Sequence, residues 1–247
     1  MPRKNIVLGL LASSILSAVP SQGAELELVW SQSDGLRYEI YHSTRNEGVW
    51  EPPEKLTDNN ANNLHPAFVI TPDGNRWIFW SAVNPDGIAI EYTTGKDGRW
   101  AEPVKLEMEE GSTAIAPSAL AAQDGSVWLV WSGSSGGGQD EIYWSRYAAS
   151  GWQKPKMVNM ANQVPDIKPE LALNAQKQME VRWQGFRDGQ YKMLISAYAG
   201  SGWLPEQEMP EEKKPEEKEK PELPDFVPAS SQHVLLDLSS AKEGAGK

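Results

Sequence analysis

GVWEPPEKL (residues 48–56) is followed by GRWAEPVKL (98–106), SGWQKPKMV (150–158) and SGWLPEQEM (201–209). The shared tryptophan falls at Trp50, Trp100, Trp152 and Trp203, in steps of 50, 52 and 51 residues. Two further series keep the same beat: Trp30, Trp80, Trp131 and Trp183, and Pro66, Pro117 and Pro169. Three independent anchors on one period mark an internal repeat, and a period of this length belongs to stacked supersecondary units.

One period reads as strands. The second repeat runs PAFVI, TPDGN, RWIFWS, AVNPDG, IAIEYT, TGKDG, RWAEPVKL (66–106). Its runs are short and β-branched or aromatic, and Gly or Asp-Gly punctuation bounds them as tight hairpins require. Nothing between 25 and 209 carries a sustained helical period. The chain is therefore expected to be all-β: a β-propeller of four blades, each of four strands in about 51 residues. Side chains alternate along a strand, so Trp77 and Phe79 point one way while Ile78 and Trp80 point the other. Both faces are apolar, as a sheet between two neighbours needs, and the eight repeated tryptophans are assigned to the core. In the fourth repeat Glu180 and Arg182 stand where the second has Trp77 and Phe79. That less apolar face is the expected place for self-association.

The first repeat opens directly on ELELVWS (25–31), the equivalent of RWIFWS, and lacks an innermost strand. HVLLDL (233–238) is the one late stretch with strand character, and it is expected to return and complete the first blade. Between them PEEKKPEEKEKP (210–221) is charged and proline-rich, the composition of a solvated linker. The expected organisation is repeats over 25–209, a linker over 210–228 and a C-terminal segment over 229–247.

The chain starts with Arg3 and Lys4, an apolar run of 14 residues (6–19) and a small-residue exit, SQGAE. This is the secretory pattern, with residues 1–24 as signal peptide and cleavage expected near Gly23 or Ala24. The run is shorter than the roughly 20 residues of a membrane span, so no span is expected in the exported chain. There are no cysteines, hence no disulfides. The formal net charge of −11 excludes a phosphate-backbone partner, which needs a lysine and arginine excess.

The segments STRNEGVW, TTGKDGRW, SRYAASGW and SAYAGSGW resemble the Asp-box, S-x-D-x-G-x-T-W, of sialidase-like BNR-repeat propellers. Ser43, Thr93, Ser145 and Ser196 stand seven residues before the tryptophan, as the box serine does. Arg45, Gly95, Tyr147 and Tyr198 replace its aspartate. The resemblance implies the propeller fold over 25–209. It does not imply activity: the family's arginine triad, Tyr–Glu nucleophile pair and entry motif find no match.

The search for chemistry gives no catalytic residue, metal site or cofactor. His42, His65 and His233 have no ligand spacing, and His42 is assigned to packing. Loops between blades and loops joining the second and third strands share one face of a propeller, and here they are the long polar ones. A glycan or protein ligand is expected there. The candidates are Asn60, Asn62, Asn63 and His65 in TDNNANNLH (57–65), Asp166 in NMANQVPDIK (159–168), and Trp144, the tryptophan that breaks the repeat. The expected function is an exported binding or scaffolding module. The alternatives are a sialidase-like glycosidase and an assembly subunit of a cell-envelope complex.

Overall fold

In the computed structural model, which describes residues 24–209 and 223–238, all regular structure is β-strand. The expected signal segment up to Gly23 and most of the linker lie outside the described residues. The strands form four antiparallel sheets in chain order. The first holds β1 (Ala24–Ser33), β2 (Tyr38–Asn46), β3 (Val49–Trp50) and β4 (Glu54–Lys55). The second holds β5 (Asn62–Ile70), β6 (Arg76–Asn84), β7 (Gly87–Lys96), β8 (Arg99–Trp100) and β9 (Val104–Lys105). In the third are β10 (Ile115–Ala121), β11 (Val127–Gly133), β12 (Glu141–Ala148), β13 (Gly151–Trp152) and β14 (Lys156–Met157). The fourth has β15 (Asp166–Leu173), β16 (Met179–Arg187), β17 (Gln190–Ala197) and β18 (Gln207–Glu208), with a single bridge from Tyr198 to Trp203.

Local chemistry explains the hairpins. Glu47–Gly48, Asp97–Gly98 and Asp188–Gly189 all take positive φ at both residues, the turn whose twist matches paired strands. The hydroxyls seven residues before each outer tryptophan do one repeated job. Ser43, Thr93, Ser145 and Ser196 donate to the carbonyls of Glu51, Ala101, Gln153 and Leu204 at 2.7, 2.6, 2.7 and 2.6 Å. Each hydroxyl latches the chain beyond its tryptophan back onto the third strand.

The tryptophans of the inner series lie at the centre of the packing. Trp30, Trp80, Trp131 and Trp183 are fully buried. Ile78 and Trp80 face Val29 and Ile40 of the first sheet, while Trp77 and Phe79 face Leu129 and Trp131 of the third. Trp128 and Val130 then face Val181 and Trp183 of the fourth. Three apolar junctions thus join the four sheets.

β19 (Gln232–Asp237) lies antiparallel on β1, from Leu26 opposite Asp237 to Ser31 opposite Gln232, and forms the inner edge of the first sheet. Its side chains divide between two sides. Val234 and Leu236 join the first junction, where Leu238 is buried, and Leu235 packs with Leu28 and Trp30 on the other side. There Leu223, Phe226 and Val227 cover the sheet, with Phe226 5.7 Å from Trp30 and edge-on to Trp50 at 6.4 Å. On the corresponding surface of the fourth sheet Arg182 pairs with Glu180 instead.

A buried ion pair also crosses the first junction. Arg76 on β6 donates from Nε to both Glu27 oxygens, at 3.0 and 2.8 Å, and from an Nη at 2.5 Å, while His42 lies 3.2 Å from the same carboxylate. Burial pushes the Glu27 carboxyl up, but hydrogen bonds with His42 and Arg76 and the arginine charge outweigh it. The group is held below its ordinary value. His42 therefore has the packing role expected of it.

Candidate functional site

Strand direction puts two sets of loops at one end of the sheets: those joining the second and third strands, and those leading from one sheet to the next. At this end each junction is built on the same three positions. In the first junction they are Glu39, Thr57 and Asn63. Asn63 Nδ2 donates to Glu39 Oε2 at 3.0 Å and to Asn59 Oδ1 at 3.0 Å, and Thr57 Oγ1 donates to Glu39 Oε2 at 2.5 Å. In the third junction they are Glu141, Asn159 and Asp166. Asn159 Nδ2 bridges Glu141 Oε2 at 2.8 Å and Asp166 Oδ2 at 2.7 Å. Asp166 also accepts from Asn162 Nδ2 at 2.9 Å and Trp183 Nε1 at 3.0 Å, with Arg187 3.1 Å away. Burial raises the Glu141 carboxyl, and the neighbouring Asp166 charge adds to the rise against hydrogen bonds from Asn162 and Asn159.

These clamps account for several expected ligand contacts. Asn63 and Asp166 are wholly buried, and their polar atoms hold neighbouring sheets together. Trp144 is only 6% exposed, stacked on Trp128 at 5.2 Å and met edge-on by Tyr198 and Trp203 of the fourth sheet. A ring enclosed on that scale has no face left for a ligand, so its expected role as a platform is corrected to packing. Asn60 and Asn62 are exposed, Asn62 Oδ1 accepting from the Tyr38 amide at 3.2 Å. His65 is half-buried at the start of β5. The candidates are thus divided between junction interior and surface, and do not converge on one point.

The second junction is different. Its three positions are Ala89, Glu107 and Ala114, so no carboxylate clamp can form. The sheets approach through backbone instead. Ala114 N–H, leading into the third sheet, donates to the Ile88 carbonyl on β7 of the second at 3.1 Å. Peripheral to that contact a cleft of about 660 Å³ opens. Its floor is Trp131 with Tyr143 stacked on it at 6.1 Å, flanked by Trp152 and Met157. Its rim carries Glu107 and Glu109 on one side and Gln153, Lys154 and Lys156 on the other. Lys154 reaches across to Glu109 at 2.8 Å, which lowers the carboxyl and raises the ammonium. Burial and the carboxylates of Glu141 and Glu109 raise Tyr143, so its hydroxyl is a hydrogen-bond donor at neutral pH.

An apolar, aromatic floor with a rim of donors and acceptors is equipped to bind and orient a ligand. Of the carboxylates near it, Glu109 is engaged by Lys154, and Glu141 and Asp166 are occupied inside the third junction. Among the described residues no group of His, Asp or Glu could hold a metal ion, and no helix is long and apolar enough to cross a membrane. Sequence reasoning missed Tyr143 and Met157. Tyr143 lies opposite Trp131 and Met157 opposite Tyr143, at positions where the first sheet has Tyr41 and Lys55, and only that alignment could have found them.

No protein-family model matches the sequence, and no curated protein sequence does. Solved structures do match in shape. A protein of unknown function from Dyadobacter fermentans superposes with a TM-score of 0.55 at 11% identity, over 75% of this chain and 68% of that one. An endo-arabinase from Bacteroides thetaiotaomicron superposes with a TM-score of 0.51 at 16% identity, over 76% of each chain. A PL25 ulvan lyase, also at 0.51 and with 14% identity, is matched over 70% of this chain, which spans 51% of the lyase. At such identities the likeness is one of architecture, and the four-sheet chain shares a β-propeller type of fold with these proteins.

Proposed function

We propose that this chain is an exported β-propeller binding module that takes a glycan on its long-loop face and does not cleave it. The observation that carries this reading is the cleft at the second junction. Sugars present apolar C–H faces beside many hydroxyls. Tyr143, Trp152 and Met157 meet the first, and Glu107, Gln153, Lys154 and Lys156 meet the second. The names of two structurally similar proteins, an ulvan lyase and an endo-arabinase, agree with a glycan ligand. Exposed Asn60 and Asn62, with His65, extend the polar surface toward the first junction. The organisation that goes with this function is a signal peptide over 1–24, repeats over 25–209 forming four blades with degenerate Asp-boxes, a linker over 210–228, and a terminal segment over 229–247 that completes the first blade.

A glycan array probed with the full secreted chain tests the reading, with Tyr143→Ala as the control. Retained glycans that Tyr143→Ala no longer holds support it. Release of reducing ends or unsaturated products from the same polysaccharides, above a heat-treated control, would make the chain an enzyme. A second reading, self-association or assembly into an envelope complex, has its own observation. On the outer face of the fourth sheet Phe186 and Tyr191 pair edge-on at 5.3 Å, with Tyr191 and Met193 exposed. Sedimentation velocity at rising concentration, compared with Met193→Lys, tests it.

A further inference from the structure

The innermost strands β19, β5, β10 and β15 all enter from the long-loop end, and their first residues are linked to one another. His65, Ala116 and Lys168 occupy one equivalent place, directly before Pro66, Pro117 and Pro169 and at a break in the strand register. All three take a left-handed backbone, with φ of 53°, 54° and 55°. That conformation is unusual for any residue with a side chain, and three equivalent residues share it here. Each amide is caught by the preceding sheet: Lys168 by Ser132 Oγ at 3.0 Å, Ala116 by Ser81 Oγ at 2.9 Å, and His65 by Gln232 Oε1 at 2.7 Å. Gln232, His65, Ala116 and Lys168 therefore follow one another around the mouth of the inner strands.

Their side chains are unspent. Lys168 is exposed and has no ion-pair partner among the described residues. His65 Nδ1 is buried without a hydrogen-bond partner. Gln232 uses its oxygen on His65, so its amide hydrogens remain. Burial lowers the His65 pKa, and the Lys168 charge on the fourth sheet lowers it further. Three unspent polar groups thus stand at the mouth of the inner strands in a protein of net charge −11, where Lys55, Lys154 and Arg187 near the loops are already paired.

We propose that this ring is an anion site, in which His65, Lys168 and Gln232 hold a carboxylate, sulfate or phosphate-monoester group of an acidic ligand. The anion would give Lys168 a counter-charge and His65 Nδ1 a partner, and Ala116 leaves room for it. The site is separate from the cleft and stands whether or not the cleft takes a glycan.

The test is an NMR titration of the full chain with sodium sulfate, sodium phosphate and sodium glucuronate, at constant ionic strength against chloride. A saturable shift of the His65 ring and the Gln232 amide is expected with at least one of them, and the strongest identifies the group. Lys168→Ala should weaken binding about tenfold or more, the scale of one charge-assisted hydrogen bond. Ala116 already holds alanine in this backbone conformation, so the variant leaves the fold intact. Ala116→Lys should tighten binding by adding a third cationic arm. Linear shifts equal to those in chloride, or affinities that neither variant changes, would overturn the site.

Discussion

The first and third junctions are clamped, and the second is open. Glu39 with Asn63, and Glu141 with Asp166, place buried polar bridges where the second junction has Ala89 and Ala114. The third position changes character with them. Thr57 and Asn159 are buried as parts of the clamps, whereas Glu107, their counterpart, is exposed on the rim of the cleft. A repeat protein can thus open a cleft by omission. Removing the clamp from one of several equivalent junctions frees volume and polar atoms there, while its neighbours keep the sheets in place.

Breaking the first junction should have the largest effect. Arg76→Ala leaves the buried Glu27 carboxylate without its cation and should cost about 3–5 kcal/mol, read from urea midpoints. Lysine at that position should not restore it, because the contact is made by a planar two-sided fork. Asp166→Ala in the third junction strands Asn159, Asn162 and Trp183 donors and should cost about 3 kcal/mol.

Acid and base should divide the two clamped junctions. Glu27 has a folded-state pKa below its ordinary 4.5, so its stabilisation is present above that value and is lost as pH falls through the lower, folded one. Glu141 has a raised folded pKa, so its contribution runs the other way: stability falls as pH rises from 4.5 through the raised value. Glu141→Gln should therefore remove a penalty at pH 7 and leave stability at pH 4 nearly unchanged. A larger loss at pH 7 than at pH 4 would contradict the assignment.

At the open junction the smallest effects on stability are expected. Glu107→Thr and Tyr143→Phe should each shift unfolding by less than about 0.5 kcal/mol, as changes at a cleft rim do. Both should nevertheless weaken retention of any glycan on the array. A stability loss comparable to that of Asp166→Ala would mean that the cleft is structural.

Much of the fold was legible because packing repeats with the sequence. Trp30, Trp80, Trp131 and Trp183 had to be equivalent, and alternation along RWIFWS placed Trp77 and Trp80 on opposite faces. The missing first strand pointed to 233–238, which does lie on β1. The clamps were not legible, because each joins residues that look ordinary where they stand. Asn63 reads as one asparagine among several in a turn, and its partner Glu39 lies on another strand. Only the register that sets Asn63, Ala114 and Asp166 side by side shows them to be one position. Phe226 was hidden in a different way. It sits in a segment whose prolines and charges suggest solvent, yet its ring packs on Trp30 and Trp50. The open cleft was least legible, since it depends on what two alanines do not provide.

The pairing of β1 with β19 also dictates an order of assembly. Sheets two to four are made of strands close together in the chain, each with its own hydroxyl latch, and can form as they are synthesised. The first sheet cannot. Its inner edge waits for Gln232–Asp237, and Trp30 stays uncovered until Phe226 arrives, so the earliest repeat to emerge is the last to mature. During that interval β1 offers an unpaired edge beside an apolar surface, the substrate a holding chaperone recognises and the place where premature association would begin.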